Sequence, residues 1–379
     1  MERNRIMTVS DVTRDAGGVQ GGPGHEAGPA GNRDRTAGTK HGKVGGGGHG
    51  PRTEAHKAVA MVLAMTAGLS LILALFVSIA VNSGPNGVRL AVAGPAPAVE
   101  QIKAGVTQVG GAEAFEVSVV GDEAAARAAL EDRSVDGAIV IGPNGPTLLT
   151  AGAGSPAITQ MLTAAAAHLG GQPTAGPAVV DVVPLPAGDA RGVGLPSGSL
   201  PMIIAGLALG AGAALALRNR WLILGTVVGG AMTIAISFAG ILSWMDVSGG
   251  HFWAEFSAIS VTIAASALVV AGLVRLMGAA GVGVGALLLV IVGNPLSGIA
   301  TSPRLLPGPW GEFGQWLPTG AGGTLLRTVA YFPGASVWAP LLVLLGWAVL
   351  GAAGVIFGRA KVGHPTPTPA PAPAPARIK

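Results

Sequence analysis

The sequence predicts an α-helical polytopic membrane protein, with six transmembrane helices and a small extracytoplasmic α/β domain between the first and the second. Three observations predict it. Half of the 379 residues are hydrophobic and only 11% are charged, against about 25% charged in a soluble domain. Six apolar runs approach the roughly 20 residues that cross a bilayer. After the first run, the pattern switches to short strands alternating with helices, the signature of an α/β layer.

Residues 1–56 have almost no apolar periodicity and are dense in Gly, Arg, Asp and His, as in KHGKVGGGGHG. They bury too little surface to offset ordering entropy, so a disordered cytoplasmic tail is expected. The run AVAMVLAMTAGLSLILALFVSIAV (Ala58 to Val81) is uncharged and follows a long polar stretch. A signal-peptide core is roughly 7–15 residues and close to the N-terminus, so 57–81 reads as transmembrane helix 1. In the α/β domain, 82–198, the segments VRLAVAG, FEVSVV, DGAIVI and AVVDVV are rich in Val and Ile and bounded by turn residues, as strands are. AVEQIKAGVTQVG, DEAAARAALEDR and PAITQMLTAAAAHL read as helices between them. Asp122 is placed to cap the second of these helices. GVGLPSGSLP (Gly192 to Pro201) reads as the linker back to the membrane.

Five runs make up the membrane domain, 199–358: Leu200–Leu217, Trp221–Ser243, Phe256–Val274, Leu276–Ala300 and Val337–Phe357. A long connection, 301–336, separates the last two. The chain closes with a Pro-rich cytoplasmic tail, 359–379, ending in PTPTPAPAPAPARIK. Gly206/Gly210, Gly225/Gly229, Gly281/Gly285 and Gly354/Gly358 form GxxxG pairs, which favour closely packed membrane helices. Arg52 and Lys57, Arg218 and Arg220, Arg275, and Arg359 with Lys361 fall on alternate connections. Basic residues favour the cytoplasmic side, so both termini are expected inside a cell membrane and the α/β domain outside. Arg304 and Arg327, in the long connection, run against this alternation.

Several chemistries are excluded or weak. The chain has no cysteine, which removes disulfides, thiol catalysis and zinc–thiolate sites. GTKHGK (Gly38 to Lys43) lacks the spacer and the Ser or Thr of a phosphate loop. GVGVGALLLV has no preceding strand, so packing explains it better than dinucleotide binding. His251 and Glu255 stand four apart near Asp246, but a solvated turn accounts for them. LPTG (Leu317 to Gly320) lacks one residue of a sortase signal. The basic N-terminal tail is interspersed with acids and suits a weak contact with membrane lipid, not nucleic acid. No ionisable residue falls inside the six runs as bounded above, so no proton relay is visible. Neither catalysis nor a cofactor or metal is expected.

The stretch WGEFGQWLPTGAGGTLLRTVAYFPG (310–334) is the candidate site. Trp310, Phe313 and Trp316 suit a membrane–water interface. Glu312, Trp316, Pro318 and Arg327 are expected in an outer re-entrant loop, with Thr319–Phe332 as a helix of about four turns. Arg327, flanked by Leu325, Leu326, Val329 and Phe332, must either snorkel to headgroups or pair with an acid. Glu312 is the only acid in that connection.

One span, an outer α/β domain and five further spans together resemble the permease subunits of type 2 ABC exporters, in particular the phage-infection-protein-like bacterial membrane proteins. VSVVGDEAAARAALEDRSVDGAIVI (Val117 to Ile141) is similar to their outer domain. NPLSGIA followed by LPGPWGEFGQWLPTGAGGTLLRTVAYF is similar to the segment before their last span. The resemblance covers about residues 58–358. It implies a homo- or heterodimer of permeases, driven by a separate cytoplasmic ATPase subunit and exporting a lipid, drug or peptide. Two alternatives stay open: a non-transporting scaffold or sensor whose α/β domain binds a partner, and half of a proton-coupled pump, which the lack of an intramembrane acid disfavours.

Overall fold

The computed structural model describes residues 51–111, 113–143, 145–169 and 178–359. The expected disordered tail, up to residue 50, and the Pro-rich tail from residue 360 lie outside them. Among the described residues, five helices are long and apolar enough to cross a membrane. The first, α1 (Pro51–Val81), starts ahead of the expected boundary at 57, so residues 51–56 are helical.

The α/β domain follows. Its elements are β1 (Val88–Ala93), α2 (Ala96–Gly110), β2 (Phe115–Val120), α3 (Glu123–Glu131), β3 (Gly137–Gly142), β4 (Gly145–Thr150), α4 (Pro156–Leu169) and β5 (Ala178–Asp181). The strands form one mixed sheet in the order β2-β1-β3-β4-β5. Only the β3–β4 pair is antiparallel. The four expected strands and three expected helices are all present, and Asp122 does cap α3, accepting from Ala125 N at 2.8 Å. The strand missed by the sequence reading is β4, GPTLLT.

Two-residue periodicity divides the sheet faces. Val88, Leu90, Ile139 and Leu148 pack with Val106 of α2 and with Ile158, Leu162 and Ala166 of α4. Ala91, Ala93, Ala138, Val140 and Leu149 point the other way, toward Ala126 and Leu130 of α3. Small alanines on that second face leave room for Phe332, which comes from the far end of the chain and is buried in the same cluster. Burial of one such ring is worth about 1.5–3 kcal/mol.

After Asp181 the chain enters α5 (Gly194–Ala216), α6 (Arg220–Trp244) and α7 (Phe252–Met277). The expected linker over 192–201 is mostly helical, because the buried Asp189 carboxylate accepts from Val193 N (2.9 Å) and Gly194 N (2.7 Å) and starts α5 early. Pro201 therefore lies inside a helix. The next apolar run becomes α8 (Ala280–Ala286), a π-helical stretch over Leu287–Gly293, and α9 (Asn294–Leu296). Together these make a 17-residue apolar segment, below the length of the five long helices. Then come the short α10 (Trp310–Gln315), α11 (Pro318–Tyr331) and the last long helix, α12 (Trp338–Phe357).

Helix α7 is the hub, packed by α5, α6, α8, α11 and α12. Glycine makes these approaches possible. A Cβ on Gly210 would lie 2.2 Å from Ala267 O, and one on Gly272 would lie 2.6 Å from Gly351 O. The pairs Gly206/Gly210, Gly281/Gly285 and Gly354/Gly358 all face α7, whereas Gly225 and Gly229 on α6 meet nothing within 4 Å.

Candidate functional site

The segment 294–331 binds back on the α/β domain. Asn86 N donates to Arg304 O at 2.9 Å, Asn86 Nδ2 to Gly308 O at 2.6 Å, and Ser155 Oγ to Thr301 O at 2.7 Å. Tyr331 Oη, at the end of α11, donates to Val247 O at 2.7 Å in the turn before α7. Between the sheet domain and this segment lies a cavity of about 600 Å³, whose lining includes Arg89, Arg133, Arg304 and Arg327.

The four guanidinium groups are held in different ways. Arg304 Nε meets Asp136 Oδ2 at 3.0 Å, and Arg89 Nε meets the same oxygen at 3.7 Å. Arg304 Nη1 also donates to Gly87 O, and Arg89 Nη2 to Arg133 O at 2.9 Å. One carboxylate thus serves two cations. Arg133 reaches across to α11, donating to Thr328 Oγ1 and, at 3.5 Å, to Thr324 O. Its guanidinium also stacks over Phe332, 5.1 Å from the ring centroid. Arg327 is 6% exposed and donates through Nη2 alone, to Ile299 O at 2.6 Å. Neither Arg133 nor Arg327 has a carboxylate within 4 Å among the described residues.

Burial pushes the Arg133 pKa down to about 10, and the neighbouring Arg327 charge adds to the shift. Both effects destabilise a cation that still holds its proton at neutral pH. Burial likewise lowers Arg89, the attraction of Asp136 being insufficient to offset it. Arg133 also sits at φ 62°, just beyond the end of α3. That left-handed conformation favours glycine and costs an L-residue about 1–2 kcal/mol.

The expected site residues are brought partly together. Glu312 and Arg327 line the same cavity, but Glu312 is exposed and among the described residues forms no ion pair within 4 Å. Arg327 adopts neither fate expected of it, since protein buries it and its hydrogen bond goes to a backbone carbonyl. Pro318 is buried at the first position of α11. Trp316 is exposed, and its carbonyl accepts from Trp347 Nε1 at 2.7 Å. Gln315 braces the turn, donating to Ser297 O at 3.0 Å and accepting from Thr324 Oγ1.

Arg133, Arg89 and Asp136 were missed by the sequence reading. Arg304 was noticed only as an exception to the charge alternation, and that exception was the available signal. A second residue corrects an earlier boundary: α7 begins at Phe252, so Glu255 lies inside a candidate span. It is fully buried, among the described residues neither carboxylate oxygen has a partner in full hydrogen-bond geometry, and Ser248 and His251 are its polar neighbours. Among the described residues no group of three or more His, Cys, Asp or Glu side chains is arranged to hold a metal.

Compared with family models, curated proteins and solved structures, the chain matches none.

Proposed function

We propose that the chain is the membrane-spanning permease subunit of an ABC-type exporter, moving a lipid, drug or peptide with energy from a separate ATPase subunit. The observation that carries this reading is the segment 294–331. It supplies one short helix, α11, folded back against α7 and α12, and its residues Thr301 and Arg304 bond to the α/β domain. Broken helices of this kind are tolerated at membrane depth only where protein buries them or a cavity receives them, and α11 is mostly buried. The same arrangement is what the resemblance to exporter permeases implies for the stretch before the last span.

A six-span topology belongs to the proposal. Gly281 of α8 packs on Leu273 near the end of α7, whereas Thr301, just beyond α9, is bonded to Ser155 of the α/β domain. The 17-residue run between them therefore returns along the bundle, about 25 Å at 1.5 Å per residue. With basic residues inside, both termini are cytoplasmic and the α/β domain is outside.

One observation favours a second reading, half of a proton-coupled pump. Glu255 supplies the buried acid that such a pump needs. A single experiment separates the readings: gentle detergent purification of the tagged chain from its native membrane. Copurification of a nucleotide-hydrolysing cytoplasmic protein in stoichiometric amount is the expected result. Elution with a second membrane chain and no ATPase would favour the pump. Elution with a partner bound to the α/β domain alone would favour the scaffold or sensor.

A further inference from the structure

We propose that the cavity between the α/β domain and the 294–331 segment binds a phosphate-type oxyanion, held by Arg133 and Arg327. This inference stands apart from transport, because it rests on the cavity alone.

A guanidinium carries five N–H donors in a fixed fork that matches phosphate oxygens. Arg327 spends its protein hydrogen bond through Nη2, leaving Nε and Nη1 without one. Arg133 engages α11 only through Nη1, leaving Nε and Nη2. Both residues line the same cavity. A buried cation, Arg327, beside a half-buried one, Arg133, is a costly arrangement unless an anion joins them. Among the described residues no carboxylate lies within 4 Å of either guanidinium. Asp136, whose charge reaches Arg133, is already shared by Arg89 and Arg304. Glu113, Glu116 and Glu312 also line the cavity, but all three are exposed and none reaches a cation within 4 Å.

Hydrogen bonds brace part of the cavity's wall. Gln315 and Thr324 satisfy each other, and Ser302 Oγ accepts from Arg304 N at 3.2 Å. At about 600 Å³ the space exceeds what a lone phosphate fills, which leaves room for a substituent on the ligand. The shared chemistry is therefore a phosphate group, whether free in solution or carried by a lipid headgroup.

The test uses the full chain, purified in a non-ionic detergent and titrated calorimetrically at constant ionic strength. One arm adds inorganic phosphate. The other adds short-chain phosphatidylglycerol below its micellar concentration, with phosphatidylcholine of equal chain length as reference. Saturable binding in either arm is expected, and the arm that binds identifies the source. Arg133→Gly is the decisive variant, because glycine suits φ 62° and removes the guanidinium without backbone strain. It should weaken binding at least about tenfold, as should Arg327→Gln, since each removes charge-assisted hydrogen bonds to the anion. Arg127→Gln, on an exposed ion pair of α3, should leave binding unchanged. The proposal is overturned if the folded chain binds neither probe saturably. It is equally overturned if Arg133→Gly binds as tightly as the parent.

Discussion

Asp136 of the α/β domain and Arg304 of the 301–308 connection meet at 3.0 Å, across 168 residues of sequence. The same Asp136 oxygen also accepts from the backbone N–H of Arg89 at 2.9 Å. A single carboxylate thus fixes the start of β1 and fastens the domain to the segment beneath it.

Replacing Asp136 by Asn should loosen that attachment. Exposed pairs are worth about 0–1 kcal/mol, but a partly buried carboxylate with several donors is worth about 1–3 kcal/mol. The intact chain should lose about that much stability and melt at a lower temperature. A melting curve indistinguishable from the parent would mean the network is decorative.

Gly210 and Gly229 make opposite predictions. A Cβ at 210 collides with Ala267 backbone, while one at 229 meets open space. Gly210→Ala should cost about 1–3 kcal/mol by overpacking. Gly229→Ala should be neutral or stabilising by up to about 1 kcal/mol, from helix propensity. Unfolding midpoints in mixed detergent compare the two directly, and equal losses would refute the packing assignment.

Charge reversal tests the fate of Arg327. Glu312→Arg should change stability by no more than about 0.5 kcal/mol, as for most exposed sites. Arg327→Glu removes the hydrogen bond to Ile299 O and puts a carboxylate in a buried position, where Arg133 and not Glu312 is the cation beside it, and should reduce the yield of folded protein. The double swap should not recover it. Recovery would revive the Glu312–Arg327 pair.

Topology is accessible because the chain has no native cysteine. Single cysteines at Ser134, His251 and Ser336 should react with an impermeant thiol reagent on whole cells. Those at Asn219 and Ala279 should not. All five positions are exposed, unlike Ser248, which is 5% exposed and a poor target. Labelling of Asn219 or Ala279 with protection of Ser134 would invert the proposed orientation.

The fold was largely legible from sequence because its elements announce themselves locally. Strands β1, β2, β3 and β5 are Val- and Ile-rich runs, and the helices carry their own periodicity. Strand β4 was hidden because GPTLLT opens with Gly-Pro and reads as a turn. Only its hairpin register with β3 makes it a strand. Glu255 was hidden by a boundary one turn too late, since apolarity begins at Phe256 but α7 begins at Phe252. Arg327 was picked out as a charge in an apolar run, and Arg304 as an exception to alternation. Arg133 gave no such sign. Its contact with Thr328 spans 195 residues, and no local pattern encodes that meeting.

Tyr331 and Phe332 are consecutive, and both pack on the sheet-domain core, but only Tyr331 also reaches the membrane bundle. The Tyr331 hydroxyl holds the turn ahead of α7, and the Phe332 ring is sunk into the core of the sheet domain. A single peptide unit at the end of α11 is therefore a mechanical coupling. Sliding α11 by one turn, about 5.4 Å, would break the Val247 contact and withdraw the ring from the sheet in the same stroke. Two neighbouring aromatic side chains thus tie the end of α11 to both the turn before α7 and the core of the sheet domain.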